Sequence, residues 1–243
     1  MKAVMRELAQ AKRHYSTLPL FEFLRDERLG LRDRLAFLPV MAPFVLASAD
    51  LDRCVFRDES SPDPVQRLVD ARTRENGREA SWYLEDYTKL GFDRIGPVTQ
   101  QLRATLRDSW QQNRLLVPRL AQLAYRATPA EKLVIVESIA QSGHVLFGLT
   151  APLAARLAEQ GGPELRYLGQ LHVAREAGHA SRGLDPHDLE AIPLSAVERV
   201  RCLDLAFRVF DLFADWSNEL HLFARQALAP RAPMQIVVHG RTA

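Results

Sequence analysis

Two imidazoles and a carboxylate recur at helical spacing in the stretch LGQLHVAREAGHA: His172, Glu176 and His179. At roughly 100° per residue, these three positions fall within about 60° of one another around an α-helix. One helix face would then carry two nitrogen donors and an oxygen donor over two turns, a set suited to iron, manganese or zinc. A single histidine in that place would be read as an ordinary polar residue. Three donors in a window otherwise built of Leu, Val, Ala and Gly point to a site.

The elements that must hold this face are helical in pattern almost from end to end. Arg6 to Tyr15 and Leu18 to Glu27 read as short amphipathic helices, the second closed by Gly30. Leu31 to about Arg57 reads as one apolar helix kinked at its prolines. Asp58 to Pro64 is a turn rich in capping residues, and Val65 to Leu90 reads as one long helix with Gly91 as its C′ residue. Val98 to Ala127 holds one or two helices, broken or bent near Pro118. Thr128 and Pro129 open a helix that reaches about Gln160, and Gly161-Gly162-Pro163 ends it. The His172 helix follows and ends near Gly183, and Ser195 is placed to cap a last long helix, Ala196 to Leu228. No period-two alternation and no repeat interrupts this pattern. The expectation is an all-α, single-domain bundle of seven or eight helices over residues 1–229, with a tail at 230–243.

Composition narrows the function classes. With 243 residues the chain can bury a sizeable core. Its 32 basic and 30 acidic residues are scattered, so no basic block or aromatic-interleaved patch argues for nucleic acid. The two cysteines, Cys54 and Cys202, sit in apolar helical patterns and read as buried thiols of a reduced, cytoplasmic protein. The opening residues have no signal-peptide core, and the longest uncharged run, Leu35 to Ala49, is interrupted by Pro39 and Pro43, so no membrane span is expected. No glycine-rich phosphate loop or nucleophile elbow is present.

Three stretches, LPLFEFLRDERLGLRDRLAFLPVMAPFVLASADL, SWYLEDYTKLGFD and HVAREAGH, resemble the haem-oxygenase-like superfamily, and in particular its non-haem iron oxidases and oxygenases. The resemblance spans roughly residues 18 to 225 and implies a seven-helix bundle with a buried site between core helices. In the diiron-type members one helix supplies a carboxylate and, seven residues on, a histidine. A second helix supplies a carboxylate, and a third carries His-x3-Asp/Glu-x2-His. Here the third element is complete. The first-helix positions fall on Arg72 and Glu79, and the second-helix carboxylate position falls on Ala140.

These departures have physical consequences. Arg72 stays protonated and presents only donors, so it cannot ligate a cation. Pointed inward, it would repel a metal by several kcal/mol at an effective dielectric of about 20. The subsite made by Arg72 and Ala140 therefore reads as lost. Glu79, His172, Glu176 and His179 remain as ligands for Fe(II), mononuclear or weakly dinuclear, with O2 as co-substrate and no haem. His14, the one candidate for a proximal haem ligand, has unpersuasive surroundings. Glu75, Glu137 and His144 are candidates to replace what is missing. Arg72 is free by sequence to clamp an anionic substrate group or to pair with Glu79 or Glu176. Glu85 and Asp86 read as packing and helix-end residues, and His221 as packing or surface.

The resemblance thus implies an oxidase or oxygenase acting on a small metabolite, amino-acid-derived ones included, with a homodimer left open. Two alternatives accompany it. One is a metal-free paralogue serving as a binding or partner subunit. The other is a cofactor-free enzyme with His172 or His179 as base and Arg72 as anion clamp, or, as in the thiaminase-like branch, with a nucleophilic cysteine.

Overall fold

Reciprocal side-chain caps open the two longest helices. The Thr128 hydroxyl accepts the Glu131 N–H, and the Glu131 carboxylate accepts the Thr128 N–H at 2.8 Å, with Pro129 as first helical residue. Ser195 and Glu198 repeat the arrangement. Each box satisfies amide groups that a helix start leaves bare. The helices so begun are α8 (Pro129–Glu159) and α10 (Ala196–Leu228). They pack on each other; α8 also packs on α4 (Pro64–Thr73), and α10 on α1 (Lys2–Tyr15) and α7 (Gln111–Ala124).

The computed structural model describes residues 1–74, 79–93, 96–174 and 186–229. Among them the chain is all-α and contains no strand. The remaining helices are α2 (Pro19–Arg25), α3 (Ala42–Leu51), α5 (Glu79–Lys89), α6 (Val98–Thr105) and α9 (Pro186–Ala191). Residues 170–174 are also helical. The tail from residue 230 lies outside the described residues.

Three expected elements differ from those observed. The apolar segment from Leu31 to Arg57 is not one kinked helix. It forms 3₁₀ turns at Asp33–Leu35 and Leu38–Met41, then α3, then a wide π turn at Asp52–Phe56. Pro39 and Pro43 each lack an N–H and clash with the preceding turn, so each begins a new turn instead of bending an old one. Leu35, Phe37, Leu38 and Met41 are all buried, which removes the solvent face a regular amphipathic helix would have had. The Tyr83 hydroxyl donates to the Leu38 carbonyl at 2.8 Å, supplying a partner this irregular backbone needs.

The stretch expected as one helix from Val65 to Leu90 comprises two, α4 and α5, with residues 75–78 between them outside the described residues. Asp63 caps α4 by accepting the Val65 N–H at 2.7 Å. Gly91 follows α5 at φ +69°, the left-handed C′ geometry read from the sequence. In the third case the break falls before Gln111, while Pro118 lies inside α7. The reason is tertiary. Glu219 of α10 accepts the N–H groups of Gln112 and Asn113, both at 2.8 Å, and so caps α7 from across the bundle.

Two stretches, Asp33–Phe56 and Pro129–Glu159, are long and apolar enough to cross a membrane by composition alone. In the fold, 50% and 56% of their most apolar windows are buried within the protein, and both supply core residues.

Candidate functional site

A cavity of about 420 Å³ lies where α1, α3, α4, α8 and α10 meet. Most of its wall is carbon: Met5, Leu8, Phe44, Leu51, Phe213 and Trp216 contribute. Its polar lining includes several residues that the sequence singled out. Arg72, Glu79, Ala140 and His172 all line it, as do Glu137 and His144. These six come from α4, α5, α8 and the short helix at 170–174, so four separate pieces of chain turn toward one space. Glu176, His179 and Glu75 lie outside the described residues.

Arg72 reaches from α4 to Glu137 on α8, Nε to Oε1 at 2.8 Å. The Glu137 side chain is 5% exposed and that of Arg72 18%. Burial pushes the Glu137 carboxyl above its usual range, and the adjacent guanidinium opposes that push. Sequence spacing considered Glu137 only as a replacement ligand and gave Arg72 other glutamates as partners. The observed partner is Glu137, because α4 packs directly on α8. Ala140, one turn further along α8, adds only a methyl group.

His172 is buried and held by rings. Phe147 stacks on it at 3.8 Å between centroids and 27° between planes, and Tyr167 meets it edge-on at 5.1 Å. Tyr167 in turn packs edge-on against both Phe147 and Tyr83. The chain approaching His172 is anchored by Asp86, whose carboxylate accepts the N–H of Arg166 at 2.8 Å and of Leu168 at 2.9 Å. Burial raises the Asp86 carboxyl despite those two bonds. Glu85 pairs with Arg166 at 3.2 Å. Both acids thus have the packing role expected of them. Gly169 completes the turn into the helix: a Cβ there would run into the Leu165 carbonyl.

Other sequence candidates fall elsewhere. Cys54 is exposed, contrary to expectation, because it sits in the π turn instead of on the apolar face of a regular helix. Cys202 is buried, and burial pushes its thiol up to about 11, so it is a poor nucleophile. Neither lines the cavity. His144 is solvent-exposed, although it lines the cavity. His14 is exposed, and His221 packs edge-on against Phe23, away from the cavity. Asp52 was missed by sequence reasoning. It is a buried carboxylate on the cavity wall, carried there by the π turn that no pattern announced.

The donor set can be compared with what a metal needs. The Arg72 side does not fit one: a guanidinium and a methyl occupy the ligand positions, and the nearby Glu137 is already held by Arg72. The Glu79 and His172 side offers one oxygen and one nitrogen donor on walls of the same cavity, types that suit Fe(II). Among the described residues, no group of three or more His, Cys, Asp or Glu side chains is arranged to hold a metal ion. No family model matches the chain, and no curated protein matches it significantly.

Proposed function

We propose that this protein is a divergent haem-oxygenase-like oxidase or oxygenase that encloses a small, largely apolar metabolite beside a single non-haem iron. The observation that carries this reading is the convergence of Arg72, Glu79, Ala140 and His172 on one cavity. The resemblance aligned those positions with a ligand sphere, and Ala140 and His172 lie far along the chain from Arg72 and Glu79. Glu79 and His172 would hold the ion, with Glu176 and His179 completing its coordination. Iron bound there would supply oxygen activation. The chain's own contribution is to fix the His172 ring between Phe147 and Tyr167 and to surround the substrate with carbon that excludes water. Arg72 and Glu137 mark the side of the cavity that takes no second metal, where a polar group of the substrate can be bound.

The Arg72–Glu137 pair also favours a second reading, a metal-free paralogue that binds a small molecule or partner without turnover. It disfavours the cofactor-free enzyme, since an anionic substrate would have to displace Glu137 from Arg72. Anaerobic loading with Fe(II), followed by metal analysis, separates the first two. The oxidase reading expects about one iron per chain, lost in His172→Ala and Glu79→Gln. Stoichiometry near zero, with thermal stability unchanged by chelator, would leave the metal-free reading standing.

A further inference from the structure

The cavity wall supplied by α3 is graded from carbon to charge. Phe44, Ser48, Leu51 and Asp52 all line the cavity. Their spacing puts them on one face of α3 and of the π turn that begins at Asp52. At one end of this stripe Phe44 meets Phe213 and Trp216 of α10, each at 5.5 Å between ring centroids, and those two rings lie 5.6 Å apart. All three belong to the cavity wall. Midway, the Ser48 hydroxyl donates to the Val45 carbonyl at 3.0 Å, so its proton is spent within the helix. At the other end, about 12 Å along the helix axis, is Asp52, only 7% exposed. The π turn packs on α4, which brings Arg72 and Thr73 to the same cavity.

Charge decides which head group suits that end. Among the described lining residues, Asp52, Glu79, Glu137 and Glu190 are acidic, and Arg72 is the one fixed cation. Arg72 is engaged by Glu137 at 2.8 Å, and Lys2 approaches Glu190 at 3.6 Å. Glu79 is the oxygen donor proposed for iron. A ligand carboxylate would have to displace Glu137 from Arg72 and then sit in the poorly screened field of the other acids. A ligand ammonium meets the opposite condition. A carboxylate has about four acceptor sites, so Asp52 can take ammonium donors in addition to its neighbours in the fold.

We propose that the cavity selects an elongated, apolar primary amine, its ammonium on Asp52 and its hydrocarbon end among Phe44, Phe213 and Trp216. The inference rests on the reading of this cavity as the substrate site and names the class of substrate.

The test is isothermal titration calorimetry on the full chain, held metal-free by chelator at about pH 7, where an alkyl ammonium is charged. Three probes share one tail and differ in head group: n-octylamine, n-octanol and n-octanoate. The wild type is expected to bind octylamine about tenfold or more tighter than either of the others. Asp52→Asn is expected to remove that preference and to leave the affinity for octanol unchanged. Phe44→Ala is expected to weaken the amine as well, through its tail. Should Asp52→Asn lose its helical circular dichroism, the head-group ranking on the wild type decides alone. Octanol or octanoate binding as tightly as the amine overturns the proposal. So does no binding of any probe, or an amine preference that survives in a folded Asp52→Asn. Chelation keeps iron out of this readout. A chain that loads iron but shows no amine preference refutes this inference alone, whereas amine selectivity without iron loading refutes the oxidase reading and leaves the amine site.

Discussion

The two sides of the cavity solve the problem of buried polar groups in opposite ways. On one side Arg72 and Glu137 neutralise each other at 2.8 Å, so the charge is cancelled within the protein. On the other, His172 is sandwiched by carbon, stacked on Phe147 and edged by Tyr167. An ion pair removes two charges at once but leaves each dependent on the other. A ring held by rings is fixed in place by packing, not by a charge partner. The contrast separates a side whose charges are spent on each other from a side whose polar ring is held by aromatic packing.

The largest effect should come from breaking the paired side. Arg72→Met leaves Glu137 buried without its cation and is expected to cost about 3–5 kcal/mol in urea unfolding. Loss of under about 1 kcal/mol would mean that water reaches the carboxylate and that the two sides are not so different. On the aromatic side, His172→Ala is expected to cost about 2–3 kcal/mol from the cavity and the lost ring contacts. His172→Phe should recover most of that stability while abolishing the iron binding proposed for this side. If His172→Phe is as destabilising as the alanine variant, the ring is held by more than packing.

The smallest effect is a slope with pH. Burial raises the Glu137 carboxyl in the folded state, so folding favours its protonated form. Its contribution is full below the ordinary glutamate value of about 4.3 and is lost as pH rises through the higher folded value. The unfolding free energy of wild type minus that of Glu137→Gln should therefore decrease as pH is raised through and above that range. A difference that does not vary with pH would place Glu137 in ordinary solvation and weaken the contrast between the two sides.

What could be read from the chain alone follows the range of the interactions involved. The caps at Thr128 and Ser195, the C′ glycine at position 91 and the boundaries of the last helix depend on neighbours within a few residues, and all were legible. The start of α7 was not, because its cap is Glu219, on another helix. The segment after Leu31 was misread because apolar composition is the same for a buried helix and for buried turns, and only the spacing of Pro39 and Pro43 hinted at the latter. At the site, the resemblance implied that Arg72, Glu79, Ala140 and His172 share one region, and all four line one cavity. Spacing did not reveal that Arg72 would pair with Glu137, with α5, α6 and α7 lying between them in sequence, or that a π turn would bring in Asp52.

Asp86 has one further consequence. It rides on α5, the helix that begins at Glu79, and it grips the backbone leading into His172 through two amide bonds. The oxygen and nitrogen donors proposed for iron are therefore mounted on a common frame, although more than ninety positions separate them in the chain. A shift of that frame would carry both together and preserve their mutual alignment, while altering their distance from Arg72 across the opening.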